Sequence, residues 1–320
     1  MEARDAAAAA GGLGRRDPAR PLVAERRRYG ERVIEGLLAA CAVISVVTTT
    51  AIVISLLSPT IGFFEEISFS DFFSFDTWAP THADPSFGVL NIVVGTLAVT
   101  FWSLLFAVPL GLLSAVYLSE YAKPRVRRVI KPILEVLAGI PTVALGLFAV
   151  TFLSPEIQKL FPELVKAPPF FVLAAGLGIA LLVIPIIASI SDDAMRAVPG
   201  GLREGAYGLG ATKLKVATRV VFPAAISGIV ASIVLAGSRA VGETMIVLLA
   251  AGGTANATFN PGEQVLPMTA FIGKTATGDI ATGTITYDTI FAVGSVLFVM
   301  TLAMNAVAIR LVRRFREVYE

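Results

Sequence analysis

Six apolar blocks, each long enough to cross a bilayer, constrain this 320-residue chain more than any other feature. A spanning helix needs about 20 mostly apolar residues, because each adds about 1.5 Å against a hydrocarbon core about 30 Å thick. The blocks run over about 33–57, 90–118, 133–153, 170–190, 224–251 and 290–312. Strands of a membrane barrel would instead give alternating segments of about ten residues. The expected fold is therefore an all-α membrane protein, a bundle of six transmembrane helices. Composition agrees: 55% of the residues are hydrophobic and 16% charged, against about 25% charged in a soluble domain. An ordinary soluble enzyme and a disordered chain are both excluded. The first block is too long for a signal-peptide core and lacks a clear cleavage site.

The predicted organisation is a disordered, basic, cytoplasmic tail over 1–32, a six-helix domain over 33–312 and a short cytoplasmic tail over 313–320. Basic residues set the orientation. Nearly all of the 26 Lys and Arg fall in the first tail, the loops after the second and fourth blocks, and the C-terminal end. Lys159, Lys166 and Lys274 lie on the other side, and Arg239 lies inside a helix. The positive-inside rule then places both termini in the cytoplasm. The external segment 58–89 holds Glu65, Glu66, Asp71, Asp76 and Asp84, many aromatic residues, and no Lys or Arg. It reads as an amphipathic piece lying at the interface, as a docking surface for an external partner, or as both.

Several chemistries are ruled out. The net charge of +2 is too small to imply nucleic acid. A lone Cys41 permits no intramolecular disulfide and no multi-cysteine zinc site, and a lone His82 permits no two-histidine metal site. No metal site and no cofactor in the chain are expected. There is no G-x-x-x-x-G-K-[ST] phosphate loop, and Gly11–Gly14 lacks the following Lys-Ser/Thr. No H-E-x-x-H or G-x-S-x-G is present, so no catalytic residue is assigned and the chain is not expected to be an enzyme.

The loop over 191–222 suggests two short helices. Pro199 suits a helix start. Leu202, Ala206 and Leu209 fall on one face, and Gly210 marks a stop. A second helical stretch runs over 213–221 and ends before Pro223. The unit is either a self-packed amphipathic loop or a plug for another subunit. In the fifth block, Arg239 stands 16 residues after Pro223, roughly 24 Å along an ideal helix. Burying it costs about 2.5–3.5 kcal/mol on the translocon scale. Glu243 follows four residues on, nominally on the same face. The pair is either a structural tie or part of an anion path, in which Arg239 offers its guanidinium fork to a tetrahedral oxyanion. In the second case a gate is expected, with Arg239 and Glu243 paired when the path is closed. Elsewhere, Pro109, Pro141 and Pro185 are expected to kink helices. Glu135 is expected to pair with Lys131, and Asp288 to favour the start of the sixth helix. His82 is expected to be solvated and Cys41 inert.

The 191–222 loop resembles the permease subunits of bacterial ABC importers. Their cytoplasmic motif is Glu-Ala-Ala, three residues, Gly, nine residues, Ile-x-Leu-Pro. Here Glu204-Gly205-Ala206, Gly210 and Val220-Val221-Phe222-Pro223 repeat that spacing, with apolar or small exchanges. The resemblance implies a type I importer permease. It makes Arg203, Glu204, Ala206, Gly210 and Ala211 the coupling element that meets a partner ATPase, which uses ATP and Mg. Arg239 to Met245, Leu137 to Thr142 and Asp193 to Pro199 are similar, more narrowly, to the PstC permeases of phosphate importers. That likeness runs from about Ile34 to the end of the sixth block. It implies a bacterial cell-membrane protein working with a PstA-like sister permease, two PstB-like ATPase copies and an external PstS-like phosphate-binding protein. It carries a substrate-pathway role onto Arg239, Glu243 and Thr244. Rivals are a sulfate or molybdate permease, a channel or carrier working alone, and an intramembrane enzyme.

Overall fold

The computed structural model describes residues 29–315, apart from 83, 167 and 279. Most of the expected N-terminal tail, and residues 316–320, lie outside the described residues. Residues 29–32 are the exception, since they already belong to the first helix, α1 (Tyr29–Glu66).

The chain divides into two units at Val53 and Ile54. In the first unit α1 is apolar all round from Gly36 onward. Thr49 and Thr50 turn their hydroxyls back onto the carbonyls of Ser45 and Val46. Leu38, Val46 and the other large side chains there are exposed, as on a helix whose solvent is hydrocarbon.

The second unit starts with the end of α1 and the aromatic segment. That segment holds α2 (Phe69–Phe72) and the short strands β1 (Trp78–Ala79) and β2 (Ser86–Phe87), paired antiparallel. Its aromatic residues divide. Phe63, Phe72, Trp78 and Phe87 are buried, and Phe63 meets Phe72 and Phe87 edge-on at 5.4 Å. Phe69, Phe73 and Phe75 point outward. The Asn91 amide donates to the Asp76 carbonyl at 2.5 Å. Gly88 lies so close that an added Cβ would meet that same carbonyl at 2.0 Å.

The centre of the unit is the pair α3 (Leu90–Val116) and α7 (Val172–Arg196). Small residues let them approach. An added Cβ at Gly111 would meet Ile187 at 2.8 Å, and one at Gly176 would meet Trp102 at 3.1 Å. Such contacts replace the hydrophobic drive that is lost when the surroundings are apolar. Pro109 and Pro185 lie inside these helices, as expected.

The third block is read differently by the structure. Residues 124–137 form an amphipathic helix, α4 (Pro124–Leu137), with no buried residue. The chain breaks at Ala138–Pro141. A new apolar run follows: α5 (Thr142–Phe148), a π-helical turn (Ala149–Leu153) and α6 (Ser154–Leu160). Pro141 is the residue before this helix, not a kink within it. A proline suits that place because the first turn has no hydrogen bond for it to break. Lys131 pairs with Asp193 of α7 in place of Glu135, which is exposed.

α7 continues through Arg196, so the following loop begins later than 191. It holds α8 (Gly200–Gly208) and α9 (Lys213–Val216). A π-helical turn (Ala217–Val221) and α10 (Phe222–Ala224) carry the second stretch through Pro223, not up to it. The chain bends by 72° at Ala225 into α11 (Ile226–Val241). α12 (Met245–Ala250), an extended stretch, α13 (Met268–Ala276) and α14 (Ile285–Phe315) complete the chain. Asp288 lies in the first turn of α14, as expected. Five described helices are long and apolar enough to cross a membrane, and six if the bent run is one span.

Candidate functional site: a broken span and the helix pair at 200–216

The fifth block is not one helix. It stops at Val241 and restarts at Met245, so Gly242, Glu243 and Thr244 form a break. The cause is local. Restarting a helix exposes N–H groups with no intrahelical partner. The Glu243 carboxylate accepts from Met245 N at 3.1 Å and Ile246 N at 3.4 Å. Its charge also suits the positive end of a helix. The Glu243 carbonyl accepts from the buried Thr269 hydroxyl at 2.7 Å, which ties the break to α13. The Thr244 hydroxyl donates to the Gly242 carbonyl at 3.4 Å.

Arg239 and Glu243 are expected to pair when the path is closed. They are not paired here, because the backbone leaves the helix between them and the i, i+4 relation fails. Glu243 is only 8% exposed and faces α12. Arg239 lies on the exposed face of α11 with Leu235. Among the described residues it has no hydrogen-bond or ion-pair partner. Behind it, α11 is held by Ser238 Oγ to Asn305 Oδ1 on α14 at 2.8 Å. A second bond joins Ser232 to Ser191 on α7, also at 2.8 Å.

The second site residues cluster around α8. Pro199 precedes the helix, and Gly210, with φ +78°, turns the chain in the left-handed region that glycine tolerates. The Thr212 hydroxyl then accepts from Lys215 N to start α9. Arg203 fastens the unit. Its Nη1 donates to the Val198 carbonyl and its Nη2 to the Met195 carbonyl, each at 2.7 Å. Nη2 also meets Glu120, just beyond α3, at 3.3 Å. Ala206 and Ala211 rest on a small core of Ala115, Met195, Val198, Val216, Val221 and Ile229.

The expected apolar face of Leu202, Ala206 and Leu209 is not buried as a unit. Leu202 is exposed and Leu209 is 91% exposed. The inward contacts come from the two alanines. Glu204 is exposed as well.

Sequence reasoning missed the ion pairs next to this unit. Arg127 of α4 meets Asp192 of α7 at 2.7 Å, and Lys131 meets Asp193. Asp192 is fully buried, and its Oδ1 has no hydrogen-bond partner among the described residues. The partners lie 65 and 62 positions apart, so no local pattern signals them. Lys274 is expected on the external side, but its helix α13 is missed, because nine residues are too short for an apolar block.

A multi-span helical bundle, with an unpaired arginine at a broken span and a small helix pair bearing a large exposed leucine, has the parts of a transport permease. The chain belongs to the family described as the binding-protein-dependent transport system inner membrane component, whose profile matches residues 107–317. It is thus a multi-pass membrane permease subunit of an ABC importer, not an enzyme. It is 33% identical to the probable ABC transporter permease protein YqgH of Bacillus subtilis, over 83% of this chain and 85% of that one. It is 30% identical to the phosphate transport system permease protein PstC of Mesorhizobium japonicum, over 88% and 90%. Among solved structures, a bacterial alginate ABC transporter in complex with a periplasmic protein shares the fold. The TM-score is 0.63 at 16% identity, covering 92% of this chain and 100% of that one.

Proposed function

We infer that this chain is a permease subunit of an ATP-driven phosphate importer. In this reading both termini are cytoplasmic. A sister permease of the PstA kind lies alongside, two ATPase subunits of the PstB kind use ATP and Mg, and an external phosphate-binding protein of the PstS kind delivers the substrate. The observation that carries the reading is Arg239. A guanidinium that enters a membrane costs about 2.5–3.5 kcal/mol even on the lenient scale, and this one has no partner among the described residues. Its exposed face suits a protein wall better than lipid, and its planar fork matches two oxygens of a tetrahedral oxyanion. Similarity to PstC of Mesorhizobium japonicum supports phosphate as that anion.

Thr244 adds a hydroxyl at the break. Glu243, spent on the N–H groups of α12, keeps the break in place and leaves Arg239 without a carboxylate competitor. On the other side of α11, ATPase motion reaches the bundle through Glu204, Gly210 and the exposed Leu209. Arg203, Ala206 and Ala211 hold that unit to α7.

Labelled-phosphate uptake by the reconstituted complex tests this reading. Arg239→Lys is expected to cut uptake roughly tenfold to a hundredfold, the worth of one charge-assisted hydrogen bond. ATPase stimulation by the loaded binding protein should persist. Normal uptake by Arg239→Lys would remove Arg239 from the path. Preference for sulfate or molybdate in the wild type would replace the substrate, and uptake without ATP would point to a carrier.

A further inference from the structure

A second cation stands beyond the break. Lys274 lies in the last turn of α13. It lines one cavity of about 450 Å3 with Leu248, Leu249 and Gly252. It also lines a second of about 280 Å3 with Thr81, His82 and Thr275. Leu266 and Gly253 belong to both, so Lys274 stands where the two adjoin. No Asp or Glu lines either cavity among the described residues. That is notable because the nearby 58–89 segment carries five acids and no Lys or Arg.

The other two lysines expected on this side are both spent. Lys159 meets Glu156 at 2.7 Å and Lys166 meets Glu263 at 2.9 Å. Lys274 has no hydrogen-bond or ion-pair partner among the described residues. A lysine at a helix C-terminus is favoured by the helix dipole alone, and that would account for its position. It would not account for Thr81, His82 and Thr275 sharing the smaller cavity with it, or for the lack of a carboxylate there among the described residues. The site also connects to the break. An added Cβ on Gly273, the residue before Lys274, would meet Thr244 Cγ2 at 3.3 Å. Leu248, one turn into α12 from Thr244, lines the larger cavity.

We propose that Lys274, with the Thr81–His82 turn, forms a staging site for a small oxyanion on the α13 side of the break. The anion is held there by one mobile ammonium with hydroxyl and imidazole groups beside it, then passes along the α12–α13 contact towards Arg239. A mobile lysine on an exposed stem gives attraction without a rigid fork, which suits a site that must release what it captures. The proposal rests on the phosphate reading of Arg239 but concerns a separate residue.

The test uses the assembled complex with its ATPase and binding protein. Lys274→Gln is expected to lower phosphate uptake roughly tenfold, the scale of one lost charge-assisted contact. Lys274→Arg should restore most of it. Uptake by Lys274→Gln equal to wild type overturns the proposal while leaving the phosphate reading standing. A wild-type complex that takes up no phosphate sinks the phosphate reading instead. Should both variants assemble poorly, acetylation of Lys274 in the wild-type complex decides. Inorganic phosphate at millimolar concentration should protect Lys274 and not the Glu156-paired Lys159. Equal labelling of Lys274 with and without phosphate overturns the site.

Discussion

The charges around α8 and those around the broken span are treated in opposite ways. Near α8 three basic residues are tied down, while Glu204 stays exposed: Arg203 holds two carbonyls and Glu120, Arg127 holds Asp192, and Lys131 holds Asp193. Around the break, Arg239 and Lys274 have no partner among the described residues, and the Glu243 carboxylate is turned onto backbone N–H groups. A part that transmits motion must be stiff, and paired charges stiffen it. A part that handles a passing anion must keep its cations available, and a paired guanidinium would need an ion pair broken at each passage. The difference between the regions lies in where carboxylates are placed more than in how many cations each has.

The comparison is broken most directly at Asp192. Its side chain is fully buried against a partly exposed Arg127. Asp192→Ala leaves that guanidinium only the longer contact to Asp193 at 3.7 Å and is expected to cost about 2–3 kcal/mol, below the range of about 3–5 for splitting a fully buried pair because Arg127 is partly exposed. A fall in the Tm of the purified complex measures it. An unchanged Tm would mean that the α4–α7 pair is ornamental and that the stiff end is held by packing alone.

Arg203 comes next. Arg203→Ala removes its hydrogen bonds to the carbonyls of Met195 and Val198 at the end of α7 but leaves Leu209 and Glu204 on the surface. The expected outcome is roughly a tenfold fall in ATPase stimulation by the loaded binding protein, with basal hydrolysis kept. Equal loss of basal and stimulated activity would instead make Arg203 a contact with the ATPase itself.

A smaller effect separates two roles for Glu243. As a cap, it needs only an acceptor oxygen, which glutamine also has. Glu243→Gln should then keep uptake within about twofold, while Glu243→Ala loses the cap, worth about 1 kcal/mol, or roughly fivefold. Were Glu243 instead the counter-charge of Arg239 in a closed state, glutamine would be as harmful as alanine. The uptake of the two variants, side by side, decides between them.

Much of this arrangement was legible from the residues, and what was hidden has physical causes. The second, fourth and sixth spans follow from apolar length alone. The third is misplaced because the amphipathic α4 and the apolar α5 share one run of Val, Leu and Ile, and Pro141, expected as a kink, ends an interruption instead. The spacing from Glu204 to Pro223 located α8 and α9, since a motif is local. The pairs Arg127–Asp192 and Arg203–Glu120 join residues 65 and 83 positions apart, beyond any local pattern. The break at Gly242–Thr244 sits inside apolar sequence and so reads as continuous helix. Yet Gly-Glu-Thr ahead of Met245-Ile246-Val247 is itself a helix-start signal, and the i, i+4 argument for Arg239 and Glu243 overrode it.

The smallest effect is expected at Glu263, and it sharpens the contrast between paired and free lysines. Its carboxyl is held below its ordinary value of 4.5, first by the hydrogen bond from Lys166 and then by that from Thr258. A lowered carboxylate stabilises the fold above its unfolded value and loses that contribution as pH falls through the folded one. The Lys166 tie to the 260–263 turn should therefore persist from neutral pH down to the ordinary carboxylate range and fail only below it. Glu263→Gln frees Lys166 without adding a cavity or removing a carboxylate from the Lys274 site. Phosphate uptake at neutral pH is expected to stay within about twofold of wild type, as for most exposed ion pairs. A large gain in uptake would show that any freed lysine near this turn attracts the anion. The cavity walls around Lys274, without a carboxylate among the described residues, would then have no special part in staging it.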